Sequence, residues 1–143
     1  MKNSLVDEAV KKFSEGFSCS QAILVVYGKQ YGINEKTALS LARSFGGGMA
    51  RTCQTCGAVT GAYIVLGLSN DCEDEKVAKE KTYALAQNFA QKFKGKHGDV
   101  NCQQLLGCNL GVPEGQDYFR NNRLIDKCNN FVKDAAIILE ELV

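Results

Sequence analysis

Apolar residues recur at three- and four-residue spacing along nearly the whole chain, and this periodicity constrains the fold more than any other feature. Leu5, Val6, Ala9, Val10 and Phe13 form one such face, which Gly16 ends. Ser18-Cys19-Ser20-Gln21 reads as a capping box, in which the Ser hydroxyl and the Gln amide each satisfy an orphan N–H. It opens an apolar helix from Ala22 to about Tyr31 that stops near Gly32. Asn34 can cap a third helix carrying Ala38, Leu39, Leu41, Ala42 and Phe45, which Gly46-Gly47-Gly48 breaks. Thr52 or Thr55 can cap a fourth, Cys56 to Leu66, ending at Gly67. This helix is apolar all round, the mark of a buried central element, although its β-branched residues leave a short buried strand as the alternative. A long helix from about Glu73 to Lys94, closed by Gly95, precedes a short one around Cys102 to Leu106. After a loop from Gly107 to Gly115, a last helix carries Leu124, Cys128, Val132, Ala135, Leu139 and Leu142. Alternating strand patterns with paired turns are absent. The expectation is an all-α, single-domain bundle over residues 1–143, with about six or seven helices and a buried central helix near 56–67.

Composition narrows the function classes. A chain of 143 residues is one domain in length. Its net charge of +1 excludes a strongly electropositive nucleic-acid binder. The start, MKNSLVDEAVKKF, lacks the apolar core of a signal peptide, and the run from Ala58 to Leu68 is too short to span a bilayer. A soluble, cytoplasmic protein without membrane insertion is therefore expected. His97 is the sole histidine, set among Gly95, Lys96 and Gly98, and reads as a solvated loop residue rather than a ligand or catalytic base.

The seven cysteines remain to be explained. In a reducing compartment they point to metal, redox chemistry or plain core packing rather than to structural bridges. Cys19 falls in the first turn of the second helix, Cys56 at the mouth of the central helix, and Cys102 at the start of the short one. A helix N-terminus favours an anion, so all three thiols are expected to ionise more easily than a free cysteine. Cys128 lies in the apolar stripe of the last helix and could reach the other three if they converge. Cys53 and Cys56 form a CxxC, but Gly57 stands where covalent haem needs a histidine. No second CxxC completes a zinc ribbon, ferredoxin spacings are absent, and the βαβ context of a thioredoxin motif is missing. Cys72 and Cys108 are the least committed. Gly47, Gly48 and Arg51 could cradle an anionic cofactor through free N–H groups and a guanidinium, without the Lys-Ser/Thr of a P-loop. The plainer reading is a structural loop that lets the central helix start close to its neighbours. Arg51 could instead stabilise the Cys53 or Cys56 thiolate.

The segments Cys19-Ser20-Gln21-Ala22, Phe45-Gly46-Gly47-Gly48, Cys56-Gly57-Ala58-Val59-Thr60-Gly61-Ala62 and Cys102-Gln103-Gln104-Leu105-Leu106-Gly107, with the closing Cys128 helix, resemble the C_GCAxxG_C_C family. Its members are small bacterial and archaeal proteins of about this length, described as redox-active. The resemblance implies that the family's four cysteines are Cys19, Cys56, Cys102 and Cys128, and it leaves Cys53, Cys72 and Cys108 outside the pattern. It also implies a redox partner protein, with a link to a transporter as one option. Three functions stand open at this point. The first is electron transfer or metal binding at those four cysteines, most readily as an iron–sulfur cluster. The second is a thiol–disulfide oxidoreductase or redox sensor, with Cys56 as attacking thiolate and Cys53 or Cys19 as resolving partner. The third is a helical interaction module whose cysteines only pack. The apolar C-terminal helix leaves a homodimer open.

Overall fold

The computed structural model describes residues 4–143. Side-chain caps decide where most helices begin. Helix α1 (Leu5–Ser14) starts where the Ser4 hydroxyl accepts the Asp7 N–H. Helix α2 (Cys19–Tyr27) opens on the capping box read from the sequence, with Ser18 Oγ accepting from Gln21 N–H and Gln21 Oε1 from Ser18 N–H. It stops at Tyr27; residues Lys29–Tyr31 form a separate 3-10 turn, closed by Gly32 at φ 85°. Helix α3 (Glu35–Ala42) begins on the Asn34 side chain, as expected. A second 3-10 turn, Arg43–Phe45, leads into α4 (Gly46–Arg51), which is a left-handed turn rather than an ordinary helix.

Helix α5 (Gly57–Ser69) is the expected buried central helix, and its β-branched residues form no strand. Neither Thr52 nor Thr55 caps it: Cys56 holds the N-cap position, Thr52 Oγ1 donates to the Met49 carbonyl at 2.6 Å, and Thr55 forms an isolated bridge to Asn101. Helix α6 (Glu75–His97) runs straight through Gly95 and ends at Gly98, whose φ of 90° supplies the left-handed closure that Gly95 was expected to give. Helix α7 (Cys102–Leu106) is capped by Asn101 and closed by Gly107. Helix α8 (Pro113–Asn121) occupies part of the expected Gly107–Gly115 loop. Pro113 suits a first helical position, and Gly115 is inside the helix because a side chain there would overlap the Asn109 carbonyl. Helix α9 (Ile125–Leu142) completes the bundle. Among the described residues there is no strand, and no helix is long and apolar enough to cross a membrane.

Helices α2 and α5 lie side by side at the centre, with α1, α3, α6 and α9 packed around them. Small residues set their spacing. A Cβ on Gly61 would sit 3.0 Å from the Ser20 Cα and carbonyl oxygen, and one on Gly57 would sit 3.1 Å from the Ser20 nitrogen. Leu24, Val25, Leu66, Val132 and Leu139 are fully buried between these layers. Each such side chain contributes roughly 1.5–3 kcal/mol by leaving water. Among the described residues Ser20 is the one buried polar residue of the core; its hydroxyl donates to the Ala42 carbonyl at 2.8 Å and ties α2 to the end of α3.

Candidate functional site

Three backbone arrangements bring distant cysteines together. The first fixes the start of α2: besides the Ser20 bond, Gln21 Nε2 donates to the Leu39 carbonyl at 3.1 Å. The second pairs residues 54–56 with residues 100–102. Cys56 N–H donates to the Val100 carbonyl and Cys102 N–H to the Gln54 carbonyl, both at 2.8 Å. Asn101 Nδ2 adds a 2.8 Å bond to the Cys53 carbonyl. Asp99 holds this corner by accepting the N–H groups of Asn101 and Val100, which keep its carboxyl below the usual range.

The third is the left-handed turn. Gly47, Gly48, Met49, Ala50 and Arg51 all have φ between 59° and 71°, and Cys53 follows at 61°. Each non-glycine residue in this conformation costs about 1–2 kcal/mol. The Gln54 N–H donates to the Gly48 carbonyl at 2.9 Å and holds the turn closed. At Gly48 the absence of a side chain is required, since a Cβ there would lie 2.6 Å from Cys102 Cβ and 3.1 Å from its sulfur.

The helices α2, α5 and α7 therefore begin at one place. Cys19 and Cys102 are the first residues of α2 and α7, Cys56 caps α5, and Cys128 enters from the start of α9. All four line a single cavity of about 130 Å³, walled otherwise by apolar side chains such as Phe13, Leu106, Phe119 and Phe131. Gly47 and Gly48 also line it; Arg51 does not, and sits instead in a neighbouring cavity with Gly47. Cys53 is half-buried and off the cavity wall, and Cys72 is exposed.

The thiols differ in acidity, and here the expectation from helix termini is corrected. Cys56 is driven below the ordinary thiol value. The Cys19 thiol is within hydrogen-bonding reach of its sulfur, and the N–H groups of Ala58 and Val59 favour its charged form, against the opposing effect of burial. Cys19 moves the other way, raised first by its contacts with Cys128 and Cys56 and then by burial and their negative charge. Cys102 is pushed up to about 12, chiefly by burial and then by the charge of Cys56 and its other sulfur neighbours. A helix start lowers a thiol pKa only where no buried anion competes for the same space. Once Cys56 carries the charge, the other two are held protonated.

Cys108 was not singled out by the sequence, yet it is buried, and its thiol is raised by burial and by nearby Cys128 and Cys53. The signal was Gly107, whose left-handed closure of α7 turns the next residue back toward the bundle. His97 is not a solvated loop residue. It ends α6, its side chain is 15% exposed, and its ring lies 4.8 Å from Phe93 and 4.9 Å from Phe131. Its Nε2 is 2.8 Å from Asp134 Oδ2, out of line for a hydrogen bond. The apolar face of α6 and the stripe of α9 enclose it.

As a donor set, four thiols on an apolar wall suit a soft, thiolate-bound group. Among the described residues, however, no three His, Cys, Asp or Glu side chains close around a point that could hold one metal ion.

The chain matches the family model described as "Putative redox-active protein (C_GCAxxG_C_C)" over residues 17–142. The chain belongs to this family. Within it, the cysteines that line the cavity here are the four to which the sequence resemblance carries the family pattern, whereas Cys53, Cys72 and Cys108 stand outside. No curated protein and no solved structure matches the chain.

Proposed function

We propose that this member of the family is a thiol–disulfide redox protein in which Cys56 attacks and Cys19 resolves. The observation that carries the reading is that Cys19 and Cys56 stand together on one apolar cavity wall, where the Cys56 thiol is lowered and the Cys19 thiol is raised. A thiolate beside a thiol is the starting state of disulfide exchange. The Cys56 thiolate attacks one sulfur of a disulfide, forming a mixed disulfide and expelling one thiolate. Cys56 then carries no charge, which removes part of what holds Cys19 protonated. The Cys19 proton passes to the expelled thiolate, and Cys19 attacks the Cys56 sulfur. The Cys19–Cys56 disulfide forms and a second thiolate leaves. Two protein thiols are oxidised, and one disulfide is reduced to one thiol and one thiolate.

The test is to treat reduced protein with a limiting disulfide, quench in acid and map the bonds by peptide mass spectrometry. A Cys19–Cys56 bond that vanishes in Cys56→Ser is the expected result. Oxidation that leaves both residues reduced would refute the assignment.

A second reading has its own support. Cys102 and Cys128 line the same cavity, and a simple dithiol exchange does not require them. Cys19, Cys56, Cys102 and Cys128 would then hold an iron–sulfur cluster. When bound, such a group supplies one-electron transfer. Stoichiometric iron and acid-labile sulfide in anaerobically purified protein would favour this reading over the first.

A further inference from the structure

Beside the thiol cavity lies a larger one of about 470 Å³, whose lining includes Arg43, Gly46, Ala50 and Arg51. The two share Ser18, Gly47 and Leu110, so they abut along one edge. Their characters differ. The thiol cavity is walled almost wholly by carbon and sulfur, whereas the outer one carries two guanidinium groups and no acidic side chain. Among the described residues, neither Arg43 nor Arg51 pairs with a carboxylate. In a chain of net charge +1, two unneutralised arginines on one cavity are a local excess rather than a general one. Arg51 reaches this position because the left-handed turn folds it back over Gly47, where its Cγ would be 3.2 Å from an added Cβ. A right-handed continuation would carry it elsewhere.

From these observations we infer that the substrate of the thiol pair is a small disulfide bearing carboxylates, whose charged ends are held by Arg43 and Arg51 while one sulfur enters the inner cavity. The inference rests on the thiol–disulfide reading above and names its substrate class. Size supports it: the inner cavity admits only a reactive end, and the outer one has room for the remainder. Chemistry supports it as well, since a guanidinium fork matches a carboxylate in shape and charge. The reaction is the exchange already written. The carboxylate-bearing disulfide is the oxidant, the Cys56–Cys19 pair is the reductant, and one thiol and one thiolate of the substrate are released.

The experiment mixes reduced full-length protein, at low and high salt, with dianionic dithiobis(nitrobenzoate) or with neutral dithiodipyridine. Loss of the reduced Cys56 thiol, to the mixed disulfide or to the Cys19–Cys56 bond, is followed by acid quench and mass spectrometry, and the ratio of the two rates is normalised to that of mercaptoethanol. The expected ratio at low salt exceeds the reference by about tenfold and shrinks as salt is added. The Arg43→Gln, Arg51→Gln double variant lowers the ratio by a similar factor. Both arginines are exposed, so the variant keeps the fold, which an unchanged melting curve checks. A ratio indifferent to salt and to both substitutions, with Cys56 still reacting rapidly, overturns the substrate assignment alone. Loss of reduced Cys56 with neither probe faster than loss of the exposed Cys72 thiol overturns the exchange reading and this inference with it.

Discussion

Replacing Gly61 and Gly95 by alanine, separately, should shift stability in opposite directions, although both are helical glycines. A methyl group on a helix-interior glycine restricts the unfolded chain and is worth about 0.5–1 kcal/mol if nothing is in its way. At Gly95, in α6, an added Cβ meets nothing within 4 Å, so the full gain is expected. At Gly61 the methyl would stand 3.0 Å from the Ser20 Cα and carbonyl oxygen and 3.2 Å from Ile23 Cβ. Ser20 cannot easily yield, being fully buried and bonded to the Ala42 carbonyl. Overpacking of this kind costs about 1–3 kcal/mol, which outweighs the entropic gain and leaves a net loss of about 1–2 kcal/mol. For a chain of this length each kcal/mol moves the melting temperature by about 3–4 °C. Calorimetry of the reduced protein should therefore show Gly95→Ala melting a few degrees higher and Gly61→Ala several degrees lower. Because α2 carries Cys19 and α5 is capped by Cys56, Gly61→Ala should also make Cys56 less acidic. If Gly61→Ala melts as high as Gly95→Ala, the close approach of α2 and α5 is not what that glycine serves.

Stability should fall as pH rises above the ordinary thiol value of 9.0, because Cys19 and Cys102 are raised in the fold. In that range the unfolded chain has lost protons that the native chain keeps, so each such thiol contributes up to about 1.4 kcal/mol of lost stability per pH unit. Urea midpoints measured under reductant at pH 9 and pH 11 check this; a Cys102→Ala variant should show a shallower decline. Ser20→Ala removes the bond that ties α2 to the Ala42 carbonyl and should cost about 0.5–1.5 kcal/mol in denaturant unfolding, whereas a neutral result would mean that this bond adds nothing to the packing of α2 on α3. Asn101→Ala removes both the cap of α7 and the bond to the Cys53 carbonyl. A loss of about 1–2 kcal/mol is expected on melting, together with slower disulfide formation between Cys19 and Cys56.

The parts of the fold that were legible in the sequence follow local rules. Ser18 and Gln21 announce the start of α2, Asn34 that of α3, and the all-round apolar segment after Cys56 a buried helix, because each signal is written within one turn of its effect. The positions of Cys19, Cys56 and Cys102 at helix starts were readable for the same reason. What escaped depends on contacts between distant segments. Gly115 reads as a breaker, yet it lies within α8 because the Asn109 backbone presses against it. Gly47 and Gly48 suggest positive φ, but nothing local in Met49, Ala50 or Arg51 does. Their conformation follows from closing a turn against Cys102 and Gln54. Cys19 and Cys102 were expected to be lowered like Cys56 and are raised instead, because burial and the contacts among the sulfurs are properties of the assembled cavity. His97 looked solvated beside two glycines, and only the tertiary packing of Phe93 and Phe131 encloses it.

The account turns on which sulfur carries the negative charge. Carboxymethylation of the fully reduced protein, followed residue by residue across pH under anaerobic conditions, measures this directly. The rate at Cys56 should reach half its plateau below the ordinary thiol value, with Cys19 and Cys102 silent until far more alkaline pH. In Cys19→Ala the Cys56 midpoint should move upward, because the flanking thiol is lost. If Cys56 titrates no earlier than a free cysteine, or Cys19 ionises before it, then the paired thiolate and thiol at the heart of this account do not exist.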